Sequence, residues 1–294
     1  MTGEFRENLG DNEVEVVQAL VEGEDKPFNI TEFLQQPKDD YSALIRQNDV
    51  ESDLGHWEGM FLFTQRDDHL AENLNEKTPE RKKVFDFVSE RLSEKMLVDL
   101  GAGRDRGRIQ NMAQRLGAKI YIGVDKFFPY KEREEINSDQ DLSYGEKQED
   151  MQVATIKGDM LDFLSRLPDN SVCITMNGID IDMVTSEAYI NALVKEIIRV
   201  LHPSGIAFGT DSTALRNIAQ AIYLKEELEY MEKLREDDPE KFKKESWESS
   251  YLATKEALSK ANQQILTDLD CVEFPEVFGK GSAVETDFIT KIRK

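Results

Sequence analysis

The sequence predicts an α/β protein built on an open, mostly parallel sheet with helices on both faces. Three observations carry this expectation. Between Pro79 and Thr210 short apolar runs alternate with longer stretches of helical period; the first run, Met96–Leu100, passes into a glycine-rich turn; and the chain ends in two alternating runs around Gly279-Lys280-Gly281. Consecutive parallel strands need crossovers of about a dozen residues or more, which helices supply with a right-handed sense, so this alternation closes into a sheet covered on both sides.

Size and charge narrow the possibilities. A chain of 294 residues, 39% hydrophobic, with fifteen Phe, eight Tyr and two Trp, can bury a sizeable core. Acidic residues number 59 against 37 basic ones, a net charge of −22. That field repels polyphosphate, so sequence-independent binding of bulk nucleic acid is not expected. Two cysteines, Cys173 and Cys271, make no disulfide framework, and no apolar run approaches the roughly 18 residues of a membrane span. The opening MTGEFRENLGDNEVE is acidic and lacks the basic-then-apolar pattern of a secretory leader. A soluble cytoplasmic protein is expected.

Residues 1–78 mix short apolar clusters (Val14–Val21, Met60–Phe63) with acidic connectors and read as a cap of helices and loops. Thr78-Pro79-Glu80 is a helix start, an N-cap followed by proline in the first turn, and Val84, Phe85, Val88 and Leu92 continue it at helical spacing. The following runs then read in order: strand 96–100, helix 106–116, strand 119–124, strand 152–156, helix 161–167, strand 171–176, helix 186–201 and strand 205–210. Residues 137–150 are polar and read as a loop. Ala214 to about Leu266 is too long for one crossover and reads as a helical insertion (213–266), interrupted near Asp237-Asp238-Pro239. The runs 270–278 and 283–292 read as an antiparallel hairpin.

The sharpest local signal is Val98-Asp99-Leu100-Gly101-Ala102-Gly103-Arg104-Asp105-Arg106-Gly107, a strand, a glycine turn and a helix start. Glycines let backbone approach a ligand where a Cβ would clash, and the helix N-terminus offers unpaired N–H groups. The spacing is G-x-G-x-x-x-G; a dinucleotide site has G-x-G-x-x-G, and Arg106 stands at that sixth position. Asp125 ends the second strand about twenty residues beyond the glycines, where an acidic residue meets a ribose diol in nucleoside-binding α/β folds. Asp159, after the third strand, can accept from an adenine amino group while Met160 touches the ring. Simpler roles fit the same positions: a strand-end cap for Asp99, a surface acid for Asp125 and a helix N-cap for Asp159.

In their order along the chain, each at the end of a strand, these residues resemble the class I S-adenosylmethionine-dependent methyltransferase family over about residues 79–294. The resemblance implies a Rossmann-like, seven-stranded sheet whose last strand is antiparallel, with S-adenosylmethionine as cofactor. It places Asp99, Gly101, Ala102 and Gly103 at the methionine part, Asp125 at the ribose, Asp159 and Met160 at the adenine, and Asn177 beside the reactive methyl, with Lys126 also among the cofactor-binding residues. The third glycine of the family's G-x-G-x-G is Asp105 here. Asn177 and Asp180 are candidates to orient or deprotonate the nucleophile, and a polar loop ending a buried strand accounts for them equally well. The segment is not the Asn/Asp-Pro-Pro-aromatic signature of amino-directed nucleic-acid methyltransferases.

His202 reads as a turn cap, and His56 and His69 lack ligand spacing, so no metal site is expected. The acceptor is expected to be a small molecule or a protein side chain, and the oligomeric state is left open. Two alternatives stand beside methyl transfer: another nucleoside-using enzyme, such as a polyamine synthase or a dehydrogenase, and a noncatalytic scaffold of the same fold. Trp57, Phe61 and Phe63 suggest that residues 1–78 form a lid over the site.

Overall fold

The apolar runs do pair edge to edge, and their order places the described candidate residues along one rim. The computed structural model describes residues 15–20, 29–51, 64–103, 107–127, 151–179, 184–244, 251–252, 268–278 and 286–291. Strands β1 (Glu15–Leu20), β2 (Met96–Leu100), β3 (Ile120–Asp125), β4 (Gln152–Lys157), β5 (Cys173–Met176), β6 (Ile206–Thr210), β7 (Leu269–Cys271) and β8 (Thr286–Lys291) form one sheet in the order β1-β4-β3-β2-β5-β6-β8-β7. Strands β2 to β6 pair in parallel, β8 is antiparallel to β6, and β7 is antiparallel to β8. From β2 the chain builds outward through β3 and β4, then returns to the other side of β2 with β5 and β6. The carboxyl ends of β2 and β5 therefore flank the point where strand order reverses, which is where ligands bind in open α/β sheets.

The seven strands expected of the domain are all present, with the terminal antiparallel pair. An eighth corrects the reading of the N-terminal segment as helices and loops: β1 lies antiparallel on β4, from Glu15 opposite Lys157 to Leu20 opposite Val153. The other adjustment is in the hairpin. Its first strand stops at Cys271, and residues 275–278 form a helical turn, α10 (Pro275–Phe278). Pro275 has no N–H to give a strand and its fixed φ suits a first helical turn, which Phe274 O anchors by accepting from Val277 N and Phe278 N at 3.0 Å.

Two layers of helix cover the sheet. On one face α6 (Met160–Ser165), α7 (Glu187–Val200) and α8 (Thr213–Asp237) bury Phe163, Leu193, Ile197, Leu215 and Ile218 against Val98, Ile122, Ile156 and Ile174. On the other, α4 (Pro79–Leu92) and α5 (Gly107–Arg115) bury Val84, Val88, Ile109 and Met112 against Leu97, Tyr121 and Phe208. Thr78 caps α4 through Oγ1, which accepts from Arg81 N at 3.3 Å. Helix α8 ends at Asp237 and α9 (Pro239–Lys244) begins after Asp238, the break that the Asp-Asp-Pro run implied. The N-terminal segment contributes to both faces: Ile30 of α1 (Ile30–Phe33) and Ile45 of α2 (Ser42–Glu51) to the first, Leu70 and Leu74, in and after α3 (Thr64–Asn73), to the second. No described helix is long and apolar enough to cross a membrane.

Packing between β5 and β6 is tightest at Gly209, where an added Cβ would stand 1.9 Å from the backbone oxygen of Met176. Backbone cannot move aside as a side-chain tip can, so Gly209→Ala is expected to destabilise the fold by roughly 3 kcal/mol or more. Among the described residues nothing lies within 4 Å of a Cβ at Gly107, the first residue of α5. Gly107→Ala is therefore expected to leave stability unchanged or raise it by up to about 1 kcal/mol. Urea unfolding of the two variants checks the contrast, and equal effects would contradict this packing.

Candidate functional site

Beyond Leu100 the chain turns through Gly101 and Gly103, whose φ values of +69° and +64° lie in the left-handed region. A side chain costs about 1–2 kcal/mol at such a position, which accounts for glycine at both. The turn folds back on the end of β3. Gly101 N and Ala102 N both donate to Val124 O, at 2.9 and 3.0 Å, and Gly103 N donates to Asp125 Oδ2 at 3.0 Å. The other oxygen of Asp125 accepts from Phe127 N at 2.8 Å. A carboxylate has about four acceptor sites, so bracing this turn is compatible with receiving a ligand hydroxyl.

The two glycines face different surroundings. Among the described residues a Cβ at Gly103 would meet nothing nearer than Gly101 O at 3.8 Å, so those residues leave this side of the turn open. At Gly101 a Cβ would stand 2.4 Å from Ile179 Cδ1. The steric demand for glycine at 101 thus comes from the chain's own segment after β5, which crosses to β2 at the switch point.

Asp99 is buried beneath the turn and accepts from the Tyr121 hydroxyl at 2.5 Å. Burial pushes its carboxyl up to about 7, with the Asp125 charge adding and the Tyr121 hydrogen bond opposing. Asp159 is the N-cap of α6, its Oδ1 accepting from Leu161 N at 2.8 Å and Asp162 N at 3.4 Å. It also accepts from the Tyr189 hydroxyl at 3.0 Å, and Lys126 Nζ lies 3.9 Å from its Oδ2. Burial raises its pKa against the pull of Lys126 and of these hydrogen bonds. Met160, the first residue of α6, packs against the adjoining core while staying partly exposed. The carboxylates of Asp99, Asp125 and Asp159 therefore follow one another along the ends of β2, β3 and β4.

Asn177, at the end of β5, donates through Nδ2 to Thr175 Oγ1 at 3.1 Å and accepts through Oδ1 from Thr210 N at 3.0 Å. With Gly178 N donating to Thr210 O at 2.9 Å, it ties the ends of β5 and β6 together. Asp180 lies outside the described residues, as do Arg104, Arg106 and the aromatic cluster Trp57, Phe61 and Phe63. His202 closes its turn by accepting from Ser204 N at 3.2 Å. Cys173 is buried in β5 and Cys271 ends β7. Among the described residues no group of three His, Cys, Asp or Glu is placed to hold a metal ion.

Sequence reasoning passed over two further groups at this rim. Asp49, on α2, holds Lys126 Nζ between its two oxygens at 2.5 Å. His69, on α3, feels the charge of Asp211, a residue held at φ +50° just beyond β6. The His69 Nε2 atom is buried without a hydrogen-bond partner, and burial lowers its pKa. Nothing in the local sequence signals either contact, because each joins residues far apart in the chain.

No family model and no curated protein matches the chain. Solved structures similar to it include a SAM-dependent methyltransferase from Archaeoglobus fulgidus, 14% identical over 44% of this chain and 50% of that one, TM-score 0.29. Another is precorrin 8w decarboxylase from Methanobacterium thermoautotrophicum, 18% identical over 55% and 73%, TM-score 0.30. A third is the MycE methyltransferase of mycinamycin biosynthesis, in complex with Mg, SAH and mycinamycin VI, 14% identical over 72% and 46%, TM-score 0.37. This chain thus spans about half the length of the two methyltransferases. Scores at this level identify no substrate, and the fold is established by the strand order itself. With its switch point at β2 and β5 and its antiparallel β8 between β6 and β7, the sheet has the strand order of an open, mostly parallel α/β fold that the resemblance to class I S-adenosylmethionine methyltransferases implies.

The buried Asp99 gives a pH signature. Its folded-state pKa, about 7, lies above the unfolded value near 3.9. The stabilising proton is fully bound in both states only at low pH, and its contribution is lost as pH rises through 7. Asp99→Asn, which needs no ionisation, is expected to gain on the wild type by roughly 1–4 kcal/mol at pH 8 and by little at pH 4. Urea unfolding at the two pH values checks this, and a difference independent of pH would contradict it.

Proposed function

We propose that the chain is an S-adenosylmethionine-dependent methyltransferase acting on a small molecule or a protein side chain. The observation that carries this reading is the open side of Gly103 beside Asp125, at the switch point of a sheet with methyltransferase strand order. Asp125 would hold the ribose, Asp159 and Met160 the adenine, and the 101–103 backbone with Asp99 the methionine part. The bound cofactor supplies an electrophilic methyl on a sulfonium. What remains for the protein is to hold donor and acceptor in line and dry, with a base needed where the acceptor must lose a proton. Asn177, both of its polar groups engaged, fits a positioning role, and Asp180 is the remaining candidate for a proton acceptor. The net charge of −22 favours acceptors other than bulk nucleic acid.

A noncatalytic scaffold is the competing reading, favoured by the contact of Ile179 on Gly101 and by the backbone bonds that already engage Asp125 and Asp159. Calorimetry separates the possibilities. S-adenosylmethionine is expected to bind and NAD not to bind, and product formation from a labelled methyl donor distinguishes an enzyme from a scaffold. Asp125→Ala is expected to weaken the cofactor by roughly 2–4 kcal/mol, as two charge-assisted hydrogen bonds to a diol are lost. Because Asp125 also braces Gly103, urea unfolding should accompany the titration. Unchanged affinity in a folded variant would remove Asp125 from the site, and binding of NAD in place of S-adenosylmethionine would replace the reading.

A further inference from the structure

The N-terminal helix α2 reaches the rim between the two carboxylates given to ribose and adenine, and its two ends are held very differently. Upstream of Ile45 the attachment is dense. Gln35 N and Lys38 N donate to Arg166 O and Ser165 O at 2.8 and 3.1 Å. Lys38 Nζ reaches Asp169 at 2.6 Å and Lys195 Nζ reaches Asp39 at 2.9 Å. The Tyr41 hydroxyl donates to Glu196 Oε1 at 2.8 Å; Glu196 is 1% exposed and is also paired with Arg199. Ile45 itself is buried in the core under α7.

Beyond Ile45 the contacts among the described residues include those of Asn48, which is buried and whose Oδ1 accepts from Ser186 N at 3.4 Å, and those of Asp49. Asp49 grips Lys126 at 2.5 Å, and Lys126 is the neighbour of Asp125 and lies 3.9 Å from Asp159. The pair is 27% and 22% exposed, so water and salt reach it. Val50, one residue on, is 82% exposed.

We propose that α2 is a strap across the adenosine end of the site, hinged at residues 38–41 on α7 and latched by the Asp49–Lys126 ion pair, so that nucleoside entry and exit require the latch to open. The proposal rests on the cofactor reading above for what passes beneath the strap, but not for the strap itself. A ligand-bound state gains from the closed strap mainly in residence. Breaking the latch therefore speeds both directions of exchange and leaves affinity nearly unchanged.

S-adenosylhomocysteine, a zwitterion with no net charge, is the probe, because long-range steering by the acidic surface then contributes little to its salt dependence. In stopped-flow binding to the full chain, its on-rate and off-rate are expected to rise together between about 50 mM and about 500 mM salt as the latch is screened. Asp49→Asn is expected to raise both rates about 3- to 10-fold, to abolish their salt response and to change Kd less than about 3-fold, a solvent-accessible, partly buried ion pair holding roughly that factor. Asp49→Glu, which keeps the charge, should retain wild-type rates. Rates and salt response unchanged in Asp49→Asn, or loss of affinity through the off-rate alone, would overturn the strap.

Should the wild type bind no S-adenosylhomocysteine, the cofactor reading fails and hydrogen exchange on the ligand-free chain decides the strap separately. Amides of residues 46–51 are then expected to exchange at least about 3-fold faster in Asp49→Asn than in wild type, with residues 34–41 unchanged. Equal exchange over 46–51, or acceleration spread over the whole of 34–51, would overturn it.

Discussion

Everything at the rim of this sheet depends on one backbone excursion, the left-handed turn through Gly101 and Gly103. Because both residues sit at φ values that an L side chain resists, the chain can reverse immediately after β2 and lay three successive N–H groups on the end of β3. That return fixes the position of Asp125, which in turn holds Phe127 at the start of the next segment. It also leaves room above Gly101 for Ile179, so the ends of β2 and β5 meet across the switch point. A larger residue at either glycine would strain the left-handed turn that positions Asp125, and at Gly101 it would also press on Ile179.

The second constraint is electrostatic. Three carboxylates stand in sequence along neighbouring strand ends, and each is managed differently. Asp99 is buried with a hydroxyl partner and is driven toward the neutral form, Asp125 is held by backbone donors, and Asp159 combines a helix cap with a tyrosine and a nearby lysine. A rim of this kind is prepared to accept hydrogen bonds from hydroxyl and amino groups, which is the chemistry a nucleoside presents. Much of its acceptor capacity is already engaged within the chain, so a ligand here adds to a formed network instead of creating one.

How much of this was legible in the sequence follows from the range of the interactions. Strands β2 and β6 are buried along their whole length, so they read as predominantly apolar runs, and the Thr78-Pro79 start of α4 carries its own cap. Asp99, Asp125 and Asp159 could be placed because their positions follow from strand ends. The edge strand β1 escaped because its partner, residues 152–157, lies more than a hundred residues away and its own run is short and interrupted by Glu15 and Gln18. Residues 270–278 mix apolar and polar residues in a short run that reads as a strand, and Pro275 ends it in a helical turn. The Asp49–Lys126 and Tyr41–Glu196 contacts span 77 and 155 residues, and no periodicity encodes such pairs. The engagement of Asn177 with Thr210 was likewise invisible, although its position at the end of β5 was not.

The account makes one central claim, that the turn at 101–103 and the acid at 125 together receive a nucleoside-bearing methyl donor. A crystal structure of the protein grown with S-adenosylhomocysteine tests it most directly. The account predicts density along the open side of Gly103, with ribose hydroxyls on Asp125 and the adenine edge toward Asp159. Ligand density elsewhere on the molecule, with the rim and the Ile179 contact unaltered, would contradict it.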